Sequence, residues 1–191
     1  ESGMDQLSLM CRDTDFPPMS LDIYATPGAK IKVTGTNPLI YTWRVDSPVK
    51  EQQEHNRFIE DSRDLWDEFQ RLAIKERSMR SASEAERKAL RTKSDSISSI
   101  INQRELKLMK ELPISNVWME KLLRLSMSLK YNSRFTNKEE ILALYDRLNE
   151  EQKASIEGQE IRVNLFPPKT VKEGDDMADA DLFDLDGKVH H

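Results

Sequence analysis

Ser47-Pro48-Val49-Lys50-Glu51-Gln52-Gln53-Glu54-His55-Asn56-Arg57-Phe58-Ile59 opens a run that reaches Met79 without a glycine or another proline. Proline suits the first turn of a helix, and Asp46 or Ser47 can cap it. Phe58, Leu65, Phe69 and Leu72 follow at spacings of seven, four and three, and Ile59 and Trp66 widen the stripe, so the segment reads as one long amphipathic helix. About thirty residues at a rise of 1.5 Å make a rod of ~45 Å. The stripe breaks over Ser78–Ser83, and Ser83-Glu84-Ala85-Glu86 is a capping box that opens a second helix running to Leu112, just before Pro113. Its apolar stripe is Leu90, Ile97, Ile101 and Leu108, close to a heptad. Two long amphipathic helices with a short connection form an antiparallel hairpin.

Upstream, residues 1–46 read as strands. Leu7–Cys11, Leu21–Tyr24, Ile31–Thr34 and Leu39–Val45 alternate or are rich in branched and aromatic residues, with Pro27-Gly28 as a turn. They read as one small antiparallel sheet, the C-terminal strands of a small β domain; four strands are few, so a helix covers one face or further strands precede them. Downstream, residues 113–166 form a compact helical segment. Ser115–Lys130 places Val117, Trp118, Leu122, Leu125 and Leu129 on one face and is the most apolar helix. Thr136-Asn137-Lys138-Glu139 is a second capping box. Asn149-Glu150-Glu151-Gln152 starts a short helix ending near Gly158, and Ile161–Phe166 is either a last helical turn or a strand. The fold class is therefore α+β, in segments 1–46, 47–112, 113–166 and 167–191.

Charge is uneven. The chain has 191 residues, 33% of them charged, and a net charge of −5. From Pro167 onward seven acids (Glu173, Asp175, Asp176, Asp179, Asp181, Asp184, Asp186) face three lysines. This acidic linker leads into a strand, Asp181–Leu185, with Asp186-Gly187 as a hairpin turn that opens and is not closed. The tip of the helical hairpin is basic, with Lys75, Arg77, Arg80, Arg87, Lys88, Arg91 and Lys93 against three glutamates. It lacks interleaved aromatics and any nucleic-acid motif, and reads as a solvated helix end.

Several chemistries find no support. One cysteine, Cys11, excludes an internal disulfide, a CxxC pair and a cysteine-rich zinc site. It reads as a small buried hydrophobe in a strand. Glu51, Glu54 and His55 lie within one helical turn but lack the HExxH spacing, and read as a solvated face. No Gly-rich phosphate loop or GxSxG elbow occurs, no run reaches the ~18 apolar residues of a membrane span, and Glu1–Asp5 has no signal-peptide character. No catalytic, cofactor or metal residue is assigned. The candidate interaction residues are Leu90, Ile97, Ile101, Leu108 and Trp66 on the hairpin and Lys75, Arg77, Arg80 and Arg87 at its tip. The stripe is regular enough to pair in trans, as a homodimer. Trp66, Trp118, Phe58 and Phe69 read as packing residues, and Trp43 as the seat of the sheet on the helices.

Two stretches carry a family resemblance. The first is Pro27-Gly28-Ala29-Lys30-Ile31-Lys32-Val33-Thr34-Gly35 followed by Thr42-Trp43-Arg44-Val45-Asp46-Ser47-Pro48-Val49-Lys50-Glu51-Gln52. The second is Gly174-Asp175-Asp176-Met177-Ala178-Asp179-Ala180-Asp181-Leu182-Phe183-Asp184-Leu185-Asp186-Gly187-Lys188. Together, with Asn137–Tyr145 and Gly158 between them, they resemble the region upstream of the catalytic domain in envelope thioredoxin-like thiol:disulfide oxidoreductases of the redoxin group. The resemblance implies a non-catalytic front region in the periplasm or cell envelope, with a downstream thioredoxin-like domain as partner. The family's CxxC lies beyond the DLDGK strand, so none of its redox residues maps onto this sequence. A self-standing helical interaction module and an envelope ligand-binding domain using the sheet and aromatics are the alternative readings.

Overall fold

The computed structural model describes residues 5–79, 82–132 and 134–167, and the backbone of 182–183 and 189–190. The fold is α+β, with short antiparallel strand pairs ahead of seven helices among the described residues. β1 (Asp5–Leu9) pairs with β2 (Leu21–Ala25), Leu7 facing Ile23. β3 (Lys32–Thr34) pairs with β4 (Arg44–Asp46), Val33 facing Val45. The four expected strands thus make two separate hairpins rather than one sheet. Pro27-Gly28 turns as expected: Gly28 sits at φ +80° and the Ala29 N–H bonds Thr26 O at 3.0 Å.

The Leu39–Val45 strand is corrected. Residues Ile40–Thr42 form a 3-10 turn, and only Arg44–Asp46 pairs as a strand. Side chains capture the donors that a ladder would use. Asn37 Oδ1 accepts from Leu39 N–H at 3.0 Å, and Gln70 Oε1 accepts from Tyr41 N–H at 2.9 Å. Cys11 lies past the end of β1 and is half-buried, not a core strand residue. Trp43 does not seat the hairpin on the helices by its polar edge. Its Nε1–H donates to Asn37 O at 2.8 Å, and a Cβ on Gly35 would fall 2.3 Å from the indole, so it closes its own hairpin.

The first long helix is two. α1 spans Lys50–Asp61 and α2 Arg63–Ser78, broken at the buried Ser62, whose φ of −129° and ψ of 24° leave the helix. Arg104 donates to the freed carbonyl of Asp61 at 3.0 Å and to Asp64 Oδ1 at 2.9 Å, so a side chain enters the ladder there. Ser47 does not cap: Val49 is the N-cap, and Ser47 Oγ accepts from Val49 N–H at 3.1 Å in a local turn. α3 (Glu84–Glu111) starts with the expected Ser83–Glu86 capping box, both bonds present. α2 and α3 pack antiparallel, with Asp64 paired to Arg104 at one end and Glu76 to Arg91 at the other.

α4 (Asn116–Tyr131) is capped by Ser115 and buries Val117, Trp118, Leu122 and Leu125 completely. α5 (Lys138–Tyr145) begins one residue later than the Thr136 box predicts; Asn137 is the N-cap and its amide contacts Glu140. α6 (Glu150–Ala154) has the expected Asn149–Gln152 box. Gly158 does not end that helix. Ser155 accepts from Gly158 N–H at 3.1 Å and caps a new one, α7 (Ile156–Leu165), resolving residues 161–165 as helix. A Cβ at Gly158 would lie 2.1 Å from Gln152 O, so the missing side chain lets α6 and α7 meet.

The main core joins Tyr24 of β2, Phe58 of α1, Met109 of α3, Trp118 of α4, Ile141 of α5 and Ile161 of α7. A second cluster lies between α2 and α3, and a third under the hairpins around Leu21, Ile40 and Val45. β5 (Leu182–Phe183) pairs with β6 (Val189–His190), Leu182 opposite His190. The hairpin expected to stay open is therefore closed by the last residues; its Asp186-Gly187 turn and the acidic linker from Pro168 onward lie outside the described residues.

Candidate functional site

α1 carries an unusual buried face. Gln52, His55, Phe58 and Ile59 recur at helical spacing, so two polar side chains share the apolar stripe. Gln52 and its neighbour Asn56 use their amides to dock the strands. Gln52 Oε1 accepts from Tyr24 N–H at 2.8 Å, Gln52 Nε2 donates to Asn56 Oδ1 at 2.9 Å, and Asn56 Nδ2 donates to Val45 O at 2.7 Å. A two-residue relay thus ties α1 to both hairpins.

His55 has no such employment. It is 4% exposed, and neither ring nitrogen has a hydrogen-bond partner among the described residues. The expected solvated face is corrected here, because Tyr24 and Tyr41 pack against the imidazole at ring-centroid distances of 5.5 and 6.5 Å. Burial, then the charges of Lys121 and Arg124, hold its pKa down to about 3. At neutral pH it is an uncharged ring with one N–H donor and one bare nitrogen acceptor. Burial also pushes the Tyr24 phenol well above its usual range, helped by its 2.5 Å hydrogen bond to Glu120 Oε2.

Behind this ring sits a buried ion cluster. Glu105 of α3 is 1% exposed, contacts Arg124 and lies 3.6 Å from Lys121 Nζ, both on α4. Lys121 also stands over the Phe58 ring at 5.3 Å. Arg124 donates to Asn102 Oδ1 at 3.1 Å. One carboxylate thus faces two cations between the packed helices, with Glu105 and Lys121 buried and the Arg124 side chain half-exposed.

In front of His55 lies a cavity of about 500 Å³ between the β3–β4 hairpin and α1. Tyr41 and Trp43 form part of its wall, and Leu21, Val45 and Ile59 its apolar floor. Lys32, Arg44 and Arg63 supply cations, Asp46 and Glu60 anions. Arg63 is occupied: it holds Glu60 at 2.5 Å and contacts Thr42 O. The Glu60 carboxyl is held low chiefly by that hydrogen bond, with Arg44 adding to it.

The residues singled out from the sequence lie elsewhere. Leu90, Ile97 and Ile101 are buried against Trp66 and Leu72, covered in cis by α2, while Leu108 packs into the main core. At the basic tip, Arg77 donates at 3.3 Å to the carbonyls of Arg12, Asp13 and Phe16 and so clamps the β1–β2 loop. Lys75 is exposed and acts on Glu86, Arg87 is half-buried, and Arg80 lies outside the described residues. None of them joins His55. Among the described residues no group of three His, Cys, Asp or Glu side chains could hold a metal, and no helix is long and apolar enough to cross a membrane. The signal for the missed cluster is polar residues on apolar arcs: His55 three before Phe58, and Glu105 four after Ile101.

No family model, curated protein or solved structure matches the chain.

Proposed function

We propose that the chain is a non-catalytic accessory region of an exported thioredoxin-like thiol:disulfide oxidoreductase, in the periplasm or cell envelope. It positions the redox domain that follows it and offers contacts to a dimer partner or substrate. The observation that carries this reading is the continuity of the core from Tyr24 through α1, α3, α4 and α5 to Leu165. A packed body of this kind sets distance and orientation up to Pro167, where the acidic stretch leads to Leu182-Phe183 and the DLDGK phrase. The family resemblance supplies the identity of the domain beyond.

Two measurements test the two halves of the proposal. The 191-residue chain should not accelerate insulin reduction above the dithiothreitol control, and turnover would overturn the non-catalytic role. The coding frame after His191 should contain a WCxxC-type motif within the next few dozen codons; its absence would remove the oxidoreductase.

A further inference from the structure

The cavity in front of His55 is independent of any redox domain. Its volume of about 500 Å³ falls within the range of small-molecule sites, roughly 300–1,000 Å³. Its inner wall contains a neutral imidazole that is 4% exposed and bonded to nothing among the described residues. A buried polar group without a partner is costly, so a ligand that satisfies it gains on binding.

The rim charges select the ligand. Arg63 and Glu60 are paired at 2.5 Å, and Lys32 stands opposite Asp46 across the strand register. Arg44 faces Thr34 in that register and acts on Glu60 only at longer range, so three cations against two anions leave one positive charge in surplus at the mouth. Indole and phenol rings in the wall favour a flat apolar body over an aliphatic chain.

We propose that this cavity binds a small organic anion: a carboxylate at Arg44, an aromatic ring along Trp43 and Tyr41, and a polar ring substituent hydrogen-bonded to His55. The neutral imidazole serves as donor to an acceptor or as acceptor from a hydroxyl or N–H.

Calorimetric titration of the whole chain with indole-3-acetate and 4-hydroxybenzoate tests it, beside uncharged indole-3-acetamide, with His55 followed through its imidazole nitrogens by NMR. At least one carboxylate should bind saturably with one-to-one stoichiometry and shift the His55 ring. The amide and Arg44→Gln should each bind about tenfold more weakly, the loss of one charge-assisted hydrogen bond. Arg44 is exposed, so that variant keeps the fold. His55→Phe should lose the rest of the affinity; if it does not fold, the Arg44 variant and the NMR shift carry the test. No saturable binding up to on the order of 10 mM, equal binding of acid and amide, an unaffected Arg44 variant, or a shift that spares His55 would each overturn the proposal.

Discussion

Acidification from pH 7 to pH 5 should weaken the fold by about 2 kcal/mol through His55 alone. In the folded chain burial and the Lys121 and Arg124 charges hold its pKa near 3, whereas in the unfolded chain it titrates near 6.5. Between those values the unfolded state binds a proton that the native state does not, so stability is full above pH 6.5 and falls as the pH drops toward 3. The complete shift corresponds to roughly 4–5 kcal/mol as an upper limit, and the part between pH 7 and 5 to ~1.9 kcal/mol. The window is chosen to isolate the ring. Glu60, Asp64, Glu86 and Glu140 are carboxyls held low by their partners, and their contributions fade only below the ordinary carboxylate range. Urea unfolding at the two pH values should lower the midpoint by about 1 M, given a slope of ~2 kcal/mol per M. His55→Phe keeps an aromatic ring between Tyr24 and Tyr41 and should remove most of that difference, while His190 and His191 remain in both chains. An identical loss in the variant, or an imidazole that titrates near 6.5 by NMR in the folded chain, would refute the reasoning.

Glu105→Gln leaves Lys121 and Arg124 without their counter-charge between α3 and α4 and should cost about 3–5 kcal/mol by chemical denaturation; a loss below about 1 kcal/mol would mean the cations are hydrated in place. Gly158→Ala puts a methyl 2.1 Å from Gln152 O and should destabilise by ~1–3 kcal/mol, read as a lower Tm, although alanine is the better helix former. Ile101→Ala opens the α2–α3 seam at a residue 1% exposed and should cost about 2–5 kcal/mol. Because that seam is closed within one chain, the loss should not change with protein concentration; a concentration-dependent Tm would return the stripe to a dimer interface.

Local signals carried much of the fold. The Ser83–Glu86 and Asn149–Gln152 boxes are formed by residues three apart, and the stripes of α3 and α4 repeat at helical spacing, so periodicity alone locates them. Two of the misreadings, the unbroken first helix and the Leu39–Val45 strand, share a cause, which is a distant side chain satisfying a local backbone group. The carbonyl freed at Asp61 is taken by Arg104, forty-three residues on, and the donors of the 3-10 turn by Gln70. Serine inside a helix is too neutral in propensity to announce the break at Ser62. The candidate site was hidden for a related reason. His55 reads as part of a charged face beside Glu51 and Glu54, and only the packing of Tyr24 and Tyr41 removes it from water.

The two hairpins gain little from each other as sheet. β1 is exposed on both faces, with Leu7 at 55%, and no ladder joins it to β3 or β4. An isolated two-stranded hairpin is marginal in water. Their order must therefore come from the helices, and the contacts show how. Gln52 and Asn56 of α1 hold the backbones of Tyr24 and Val45, Gln70 and Asp67 of α2 hold Tyr41 and Thr42, and Arg77 holds three carbonyls of the β1–β2 loop. The strands are carried by a polar scaffold on α1 and α2. The space between that scaffold and the β3–β4 hairpin is the cavity before His55, so the same amides that fix the strands also fix its walls.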